Sequence, residues 1–219
     1  MRYITCDHEQ GTPGWFEDRL GRVTGSNVSA VFAKIKSGEA ATRADYRMDL
    51  VLERITGKPA ESDFVKTRDM ERGNEMEPHA RMAFEMATGL DVNESGFVYL
   101  PDLAVGCSVD GWITESGKRG IFEAKSPKSK THYAYLLSGT APSQYMPQMI
   151  HNMWVTGAEF CWFTSYDDRM PDGLKQFIIK VNRDEAAIRE HEAGVLQFLK
   201  EVDADEAKMR QLIEKMVSK

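Results

Sequence analysis

The chain has 219 residues and a formal net charge of −6, from 28 Lys and Arg against 34 Asp and Glu. This length fits one domain with a sizeable core, and the acidic balance argues against a protein that simply coats nucleic acid. No apolar run reaches membrane-spanning length, and no signal-peptide pattern opens the chain. Three widely spaced cysteines, Cys6, Cys107 and Cys161, indicate reduced thiols and a cytoplasmic setting.

The first predicted elements are a short helical turn at 15–20 and a helix that starts after Ser26. Ser26 is a suitable N-cap for that helix. A helix start with a hydroxyl group also makes a phosphate site, and Arg19 lies nearby in sequence. Structural capping and phosphate binding explain Ser26 equally well.

Two longer helices and a strand follow. Residues 44–56 have the spacing of an amphipathic helix, and a second helix covers about 70–88. Pro78 predicts a kink or a new first turn just after Glu77 in the second helix. Residues 91–100 are predicted to form the strand that leads into the next motif.

The central motif is a β-hairpin, with one strand ending near residue 113 and the other at 121–125. Side chains at i and i+2 share a face of a strand, so Glu123 and Lys125 point together. Asp110 is predicted to lie across the hairpin from them. Two carboxylates and an ammonium group would then converge, which suits Mg²⁺-assisted hydrolysis of a phosphodiester.

This motif alone is a weak signal, because the exposed face of any two-stranded ribbon can carry Glu-Ala-Lys as solvated charge. The apolar neighbours Val109, Phe122 and Ala124 favour a buried strand pair, where charges need partners or a metal ion. Competing chemistries lack their motifs: there is no P-loop, no nucleophile elbow and no zincin spacing of histidines.

The remaining pattern completes an α+β (mixed α/β) architecture, with a central mixed β-sheet flanked by helices. Tyr145 and Gln148 share one face of a predicted helix. In the C-terminal segment apolar residues recur every seven positions, but Asp203 and Asp205 interrupt the run, which favours two packed helices. The predicted elements are helices at 131–137 and 142–156, strands at 158–166 and 174–181, and C-terminal helices at about 184–217.

Several segments together resemble the phage lambda-type exonuclease family, also known as YqaJ-like viral recombinase nucleases. The resemblance spans residues 15–170, in the family's order and spacing. It departs from the superfamily's Pro-Asp at one position, which is Val109 here. The matching segments are W-F-E-D-R-L-G-R-V-T-G-S-N-V, R-G-N-E-M-E-P-H-A-R-M-A-F-E-M-A-T-G, C-S-V-D-G, F-E-A-K-S-P, Y-M-P-Q-M-I-H-N-M-W-V-T-G and Y-D-D-R-M.

The resemblance implies a single nuclease domain over 1–219 with a restriction-endonuclease-like core of the PD-(D/E)xK superfamily. It implies digestion of linear double-stranded DNA from its 5′ ends, with two Mg²⁺ ions per active site and Mn²⁺ as a substitute. It further implies a homotrimeric ring, a single-strand annealing protein as partner, and the cytoplasm of a bacterial host. An endonuclease of the same fold and a non-catalytic DNA-end-binding protein are the alternatives.

Residue roles carry over from the resemblance position by position. The implied metal ligands are Asp110, Glu123, the Ala124 carbonyl and Glu77. Lys125 and Gln148 would orient the attacking water and stabilise the charge that develops on phosphorus. The implied DNA contacts are Arg19, Ser26 and Ser108 at the 5′-phosphate, Tyr145 on the same wall, and Met70 as a wedge at the duplex end.

Overall fold

The computed structural model describes residues 3–60 and 67–218. The helices in these ranges are α1 (Pro13–Arg19), α2 (Val28–Val31), α3 (Ala41–Thr56), α4 (Arg68–Thr88), α5 (Ser129–Ser138), α6 (Met146–Thr156) and α7 (Glu185–Val217), with a 3₁₀ turn at Ser143–Tyr145. The strands are β1 (Ile4–Thr5), β2 (Val23–Thr24), β3 (Phe97–Leu100), β4 (Val105–Ser108), β5 (Gly111–Glu115), β6 (Lys118–Lys125), β7 (Phe160–Tyr166) and β8 (Gln176–Asn182).

The described strands form two four-stranded mixed sheets, in the orders β1-β3-β4-β2 and β5-β6-β7-β8. In the first sheet β2 runs parallel to β4, and the other pairs are antiparallel. In the second sheet β6 pairs antiparallel with β5 and parallel with β7, so β6 is an interior strand. The mixed α+β class predicted from the sequence is therefore confirmed, with its strands shared between two sheets.

Helices cover both faces of the second sheet. On one face, Phe84 of α4 packs against Phe122 of β6, with ring centroids 5.0 Å apart, in a core that also contains Ala80. On the other face, Met149 and Met153 of α6 belong to the main core, which extends to α3 and α7. Alternate side chains of β6 therefore face α4 and α6 in turn.

Helix α4 runs without interruption from Arg68 to Thr88, through Pro78. The predicted new first turn after Glu77 is therefore wrong. Ala80 and Phe84 are fully buried just beyond the proline, and this packing offsets the loss of one helical hydrogen bond.

The C-terminal segment is one helix of 33 residues, so the prediction of two packed helices is wrong. The two aspartates that interrupt the apolar run do not break the helix, because both find partners on α3. Asp203 lies 2.7 Å from Arg54, and Asp205 lies 2.8 Å from Arg47.

None of the helices in the described ranges is long and apolar enough to cross a bilayer.

Candidate active site

Asp110 lies where the chain passes from one sheet to the other. β4 ends at Ser108 and β5 begins at Gly111, so two residues join the sheets. Gly111 pairs with Phe122 across the hairpin, which brings Asp110 opposite the end of β6. Its Oδ2 atom accepts a hydrogen bond of 2.7 Å from the backbone N–H of Ala124. The hairpin thus holds this carboxylate beside Glu123, as the sequence predicts.

Glu123 is fully buried on the face of β6 that looks toward α6, and three side chains donate to its carboxylate. Lys125, two residues along the strand, donates to Oε1, and Gln148 donates to the same atom at 2.6 Å. Asn152 donates to Oε2 at 3.2 Å. Gln148 and Asn152 are four apart on α6 and therefore share the face that meets the strand.

Burial and neighbouring charges shift the pKa values of the side chains in this cluster. Burial raises the pKa of Glu123, with a further contribution from the negative charge of Asp110. Burial alone would lower the pKa of Lys125, but the carboxylates of Glu123 and Asp110 raise it above its ordinary value. Lys125 is therefore a cation beside two acidic groups, whose mutual repulsion it partly relieves.

Glu77 approaches the same cluster from α4. Burial, and then the charge of Asp110, raises the pKa of Glu77 to about 7. Its carboxylate also lies 3.7 Å from the guanidinium of Arg81. Across the described ranges, no group of three or more His, Cys, Asp or Glu side chains is arranged to hold a metal ion. The protein's own donors engage Glu123 instead.

A second cluster joins three predicted DNA-binding residues through Trp15. The indole Nε1 of Trp15 donates to Oγ of Ser108 at 3.0 Å, and the guanidinium carbon of Arg19 lies 4.1 Å from the Trp15 ring centroid. Arg19 Nη2 in turn donates to Oγ of Ser26 at 3.3 Å. Residues from three separate segments therefore form one polar wall.

Ser26 is not a helix cap, which corrects the prediction from sequence. The N-cap of α2 is Asn27, without a side-chain hydrogen bond, and the helix has four residues. The Ser26 hydroxyl instead lies 3.4 Å from the Thr24 hydroxyl and accepts from Arg19. Of the two explanations of Ser26, structural capping is thus removed.

One cleft of about 840 Å³ connects the acidic cluster to the polar wall. Met70 lines it with 56% of its surface exposed. Tyr145 stacks on Phe163, and its ring centroid lies 5.6 Å from Nζ of Lys125. The predicted site residues that line the cleft are Arg19, Ser26, Met70, Ser108, Asp110, Lys125 and Gln148.

Two residues of this site escaped the sequence analysis. Trp15 links Arg19 to Ser108, and Asn152 holds Glu123. The position of Asn152, four residues after Gln148 in a predicted helix, is a signal that could have identified it. Trp15 carries no comparable signal, because its contact with Ser108 spans 93 residues of sequence.

The model of the YqaJ-like viral recombinase domain matches residues 14–159. A crystal structure of LHK-Exo in complex with dAMP matches with a TM-score of 0.84 and 36% identity, over 94% of this chain and 100% of that chain. A second structure of LHK-Exo, described as an alkaline exonuclease from Laribacter hongkongensis, gives 0.82 and 35% over the same shares.

A phage related exonuclease from Haemophilus somnus 129PT matches with a TM-score of 0.62 and 15% identity, over 89% of this chain and 96% of that chain, a likeness in fold alone. No curated protein sequence matches the chain. Fold and comparisons define a nuclease of the exonuclease class. The chain belongs to the YqaJ-like viral recombinase family.

Proposed function

We propose that this protein is a Mg²⁺-dependent exonuclease that digests one strand of linear double-stranded DNA from 5′ to 3′. The product would be duplex DNA with 3′ single-stranded tails, ready for recombination by strand annealing. The observation that carries this proposal is the single cleft that Asp110 and Lys125 share with Arg19 and Ser26. A hydrolytic centre and an anion-binding wall in one cleft suit a substrate held by its terminal phosphate.

The donor set fits a hard divalent cation. Asp110 and Glu123 offer carboxylate oxygens. Burial, and then the negative charge of Asp110, raises the pKa of Glu123, and a bound cation would offset both effects. Mg²⁺ binds through one or two carboxylates together with water and phosphate, so the absence of a three-residue ligand group in the described chain is compatible with it. We assign the metal to Asp110, Glu123 and the Ala124 carbonyl, with Glu77 beside them, and expect Mn²⁺ to substitute.

When bound, the metal would supply Lewis-acid stabilisation of the charge that develops on the phosphate oxygens. The protein's own groups complete the site. Lys125 is a cation held by Glu123 at the cleft, with a side chain that is 26% exposed, and it can turn toward substrate. Gln148 is fixed by its hydrogen bond of 2.6 Å to Glu123 and can orient a water molecule. Both would act in the transition state.

End recognition is assigned to the polar wall. Arg19 presents a guanidinium group, which matches a phosphate with two parallel hydrogen bonds, and Ser26 and Ser108 present hydroxyl groups. A terminal phosphate carries more charge than an internal diester, so this wall favours a phosphorylated 5′ end. Tyr145 would support the DNA strand beside Lys125. Met70, which is exposed, would act as an apolar wedge at the duplex end.

Three further points follow from the family resemblance and remain predictions. They are two metal ions per site, a ring of three subunits around DNA, and transfer of the tailed product to an annealing protein in the cytoplasm of a bacterial host.

The chemistry itself is tested by incubating linear and covalently closed circular forms of one plasmid with Mg²⁺ or with EDTA. We expect the linear form to be lost with Mg²⁺. The linear form in EDTA and the closed circle under both conditions should stay unchanged. Nicking of the closed circle would instead indicate an endonuclease.

A further inference from the structure

Asn152 is completely buried between α6 and the two sheets, and it contacts Glu123 from the side opposite Lys125. Lys125 and Gln148 both engage Oε1 of Glu123. Among the described residues, Oε2 accepts a hydrogen bond from Asn152 alone, at 3.2 Å. At Oε2, rotation of the carboxylate about its Cγ–Cδ bond is therefore opposed by this one amide group.

The other end of the Asn152 amide has an unusual environment. Its Oδ1 atom is buried and has no hydrogen-bond partner among the residues that the structure describes. Turning the amide over would aim Oδ1 at the Glu123 carboxylate, so Glu123 determines the orientation. An unpaired buried acceptor is unfavourable for stability, and its persistence calls for a functional reason.

Oδ1 is directed at Gly25, the residue before Ser26. A Cβ atom added at Gly25 would lie 2.1 Å from Oδ1 of Asn152 and 3.5 Å from Cβ of Cys107. Gly25 is not among the glycines with a left-handed φ, so its backbone conformation is open to any residue. The requirement for glycine at this position is one of space, and the group that needs the space is Asn152.

We propose that Asn152 is a positioning residue that fixes the carboxylate of Glu123, and that Gly25 provides the space in which Asn152 does so. Through this contact, the segment that carries Ser26 and the carboxylate of Glu123 are mechanically coupled. A displacement of residue 25 toward the core would push the Asn152 side chain toward Glu123 and turn the Glu123 carboxylate. The inference rests on the proposed function, because it treats Glu123 as a ligand of the divalent cation.

The test measures binding of Mn²⁺ alone to the intact protein by calorimetry, without DNA. Both Gly25→Ala and Asn152→Ala are expected to weaken Mn²⁺ binding by on the order of 10- to 100-fold, as for other residues that orient metal ligands. Gly194→Ala is the matched control, since its added Cβ would meet Phe32 at 2.5 Å, a comparable collision on α7, which carries none of the proposed site residues. It should bind Mn²⁺ like the wild type.

The decisive variant combines Gly25→Ala with Asn152→Ala. If Gly25 acts through Asn152, the double variant binds Mn²⁺ no more weakly than Asn152→Ala alone. The double variant also melts at a higher temperature than Asn152→Ala, because the methyl group added at position 25 fills the space that the Asn152 side chain vacates. Losses that multiply would overturn the coupling, as would native Mn²⁺ affinity in Gly25→Ala. If Gly25→Ala alone fails to fold while the double variant folds, that outcome supports the same contact.

Glu123→Ala separates this inference from the proposed function. Unchanged Mn²⁺ binding in Glu123→Ala would remove the proposed metal site itself, and the coupling with it. Loss of Mn²⁺ binding in Glu123→Ala, together with native affinity in both Gly25→Ala and Asn152→Ala, would leave the metal site intact and refute only the positioning role. Asn152→Ser provides a second, smaller change at the same position, with the same expected loss.

Discussion

Lys125 donates a hydrogen bond to the Oε1 atom of Glu123, two residues earlier on the same strand. The pair combines a fully buried carboxylate with an ammonium group that still reaches the cleft. A strand places i and i+2 on one face, so this ion pair is built into the local geometry of β6. It places a cation beside the acidic cluster, at the lining of the cleft.

Replacing Lys125 by Met should lower the rate of DNA hydrolysis by on the order of 10²- to 10³-fold, because a donor to the developing charge is lost. Mn²⁺ binding should persist, since the carboxylates remain. The measurement is the initial rate on linear duplex DNA, with Lys128→Met as the control. Lys128 is an exposed lysine three residues away, 3.6 Å from Asp69. Near-native activity of Lys125→Met would refute the assigned role.

The pH dependence of the stability of the metal-free protein should include a contribution from Glu77. Its pKa rises from the ordinary value of 4.5 to about 7, because of burial and then the charge of Asp110. The folded state therefore holds this proton more tightly than the unfolded chain does. The resulting stabilisation is complete below pH 4.5 and is lost as the pH rises to about 7.

Buried His151 and His191 act in the opposite direction, since burial lowers the pKa of both. The comparison must therefore be between wild type and Glu77→Gln. We expect Glu77→Gln to gain thermal stability relative to wild type between about pH 5 and about pH 8, in EDTA. A difference in melting temperature that stays constant over this range would contradict the assignment.

Arg19→Ala should abolish a preference for phosphorylated ends. Wild type should digest 5′-phosphorylated duplex faster than 5′-hydroxyl duplex by roughly 10-fold or more, the value of a hydrogen bond to a charged group. Arg22→Ala is the control, because the Arg22 guanidinium lies 4.2 Å from the ring centroid of Tyr99, much as Arg19 lies over Trp15. Equal wild-type rates on the two duplexes would remove the phosphate assignment.

The geometry that the sequence predicts for the acidic cluster depends on local periodicity. Asp110, Glu123 and Lys125 converge because hairpin register and strand alternation are short-range properties. Gln148 and Asn152 reach Glu123 through the docking of α6 on the sheet, which periodicity does not specify.

Long-range pairing also explains the incorrect prediction of two C-terminal helices. The polar break in the apolar run indicates a helix end when it is read alone. In the structure Asp203 pairs with Arg54, 149 residues earlier, and Asp205 pairs with Arg47, 158 residues earlier. Partners at such separations are decided by the packing of α7 on α3, and the helix continues through the aspartates.

The ring predicted from the family resemblance is testable by sedimentation. If three copies enclose DNA, the purified protein should sediment at three times the mass of the 24.8 kDa chain. The mass should hold over a range of protein concentrations and without DNA. A monomer that digests long duplexes without dissociating would contradict the ring and leave the chemistry unaffected.

Metal-dependent digestion from 5′ ends is tested with one linear duplex labelled at either a 5′ or a 3′ terminus. With Mg²⁺, we expect immediate release of the 5′ label as mononucleotide, while the 3′ label stays on a strand that shortens progressively. Without Mg²⁺, neither label should be released. Early release of the 3′ label, or equal digestion in EDTA, would contradict it.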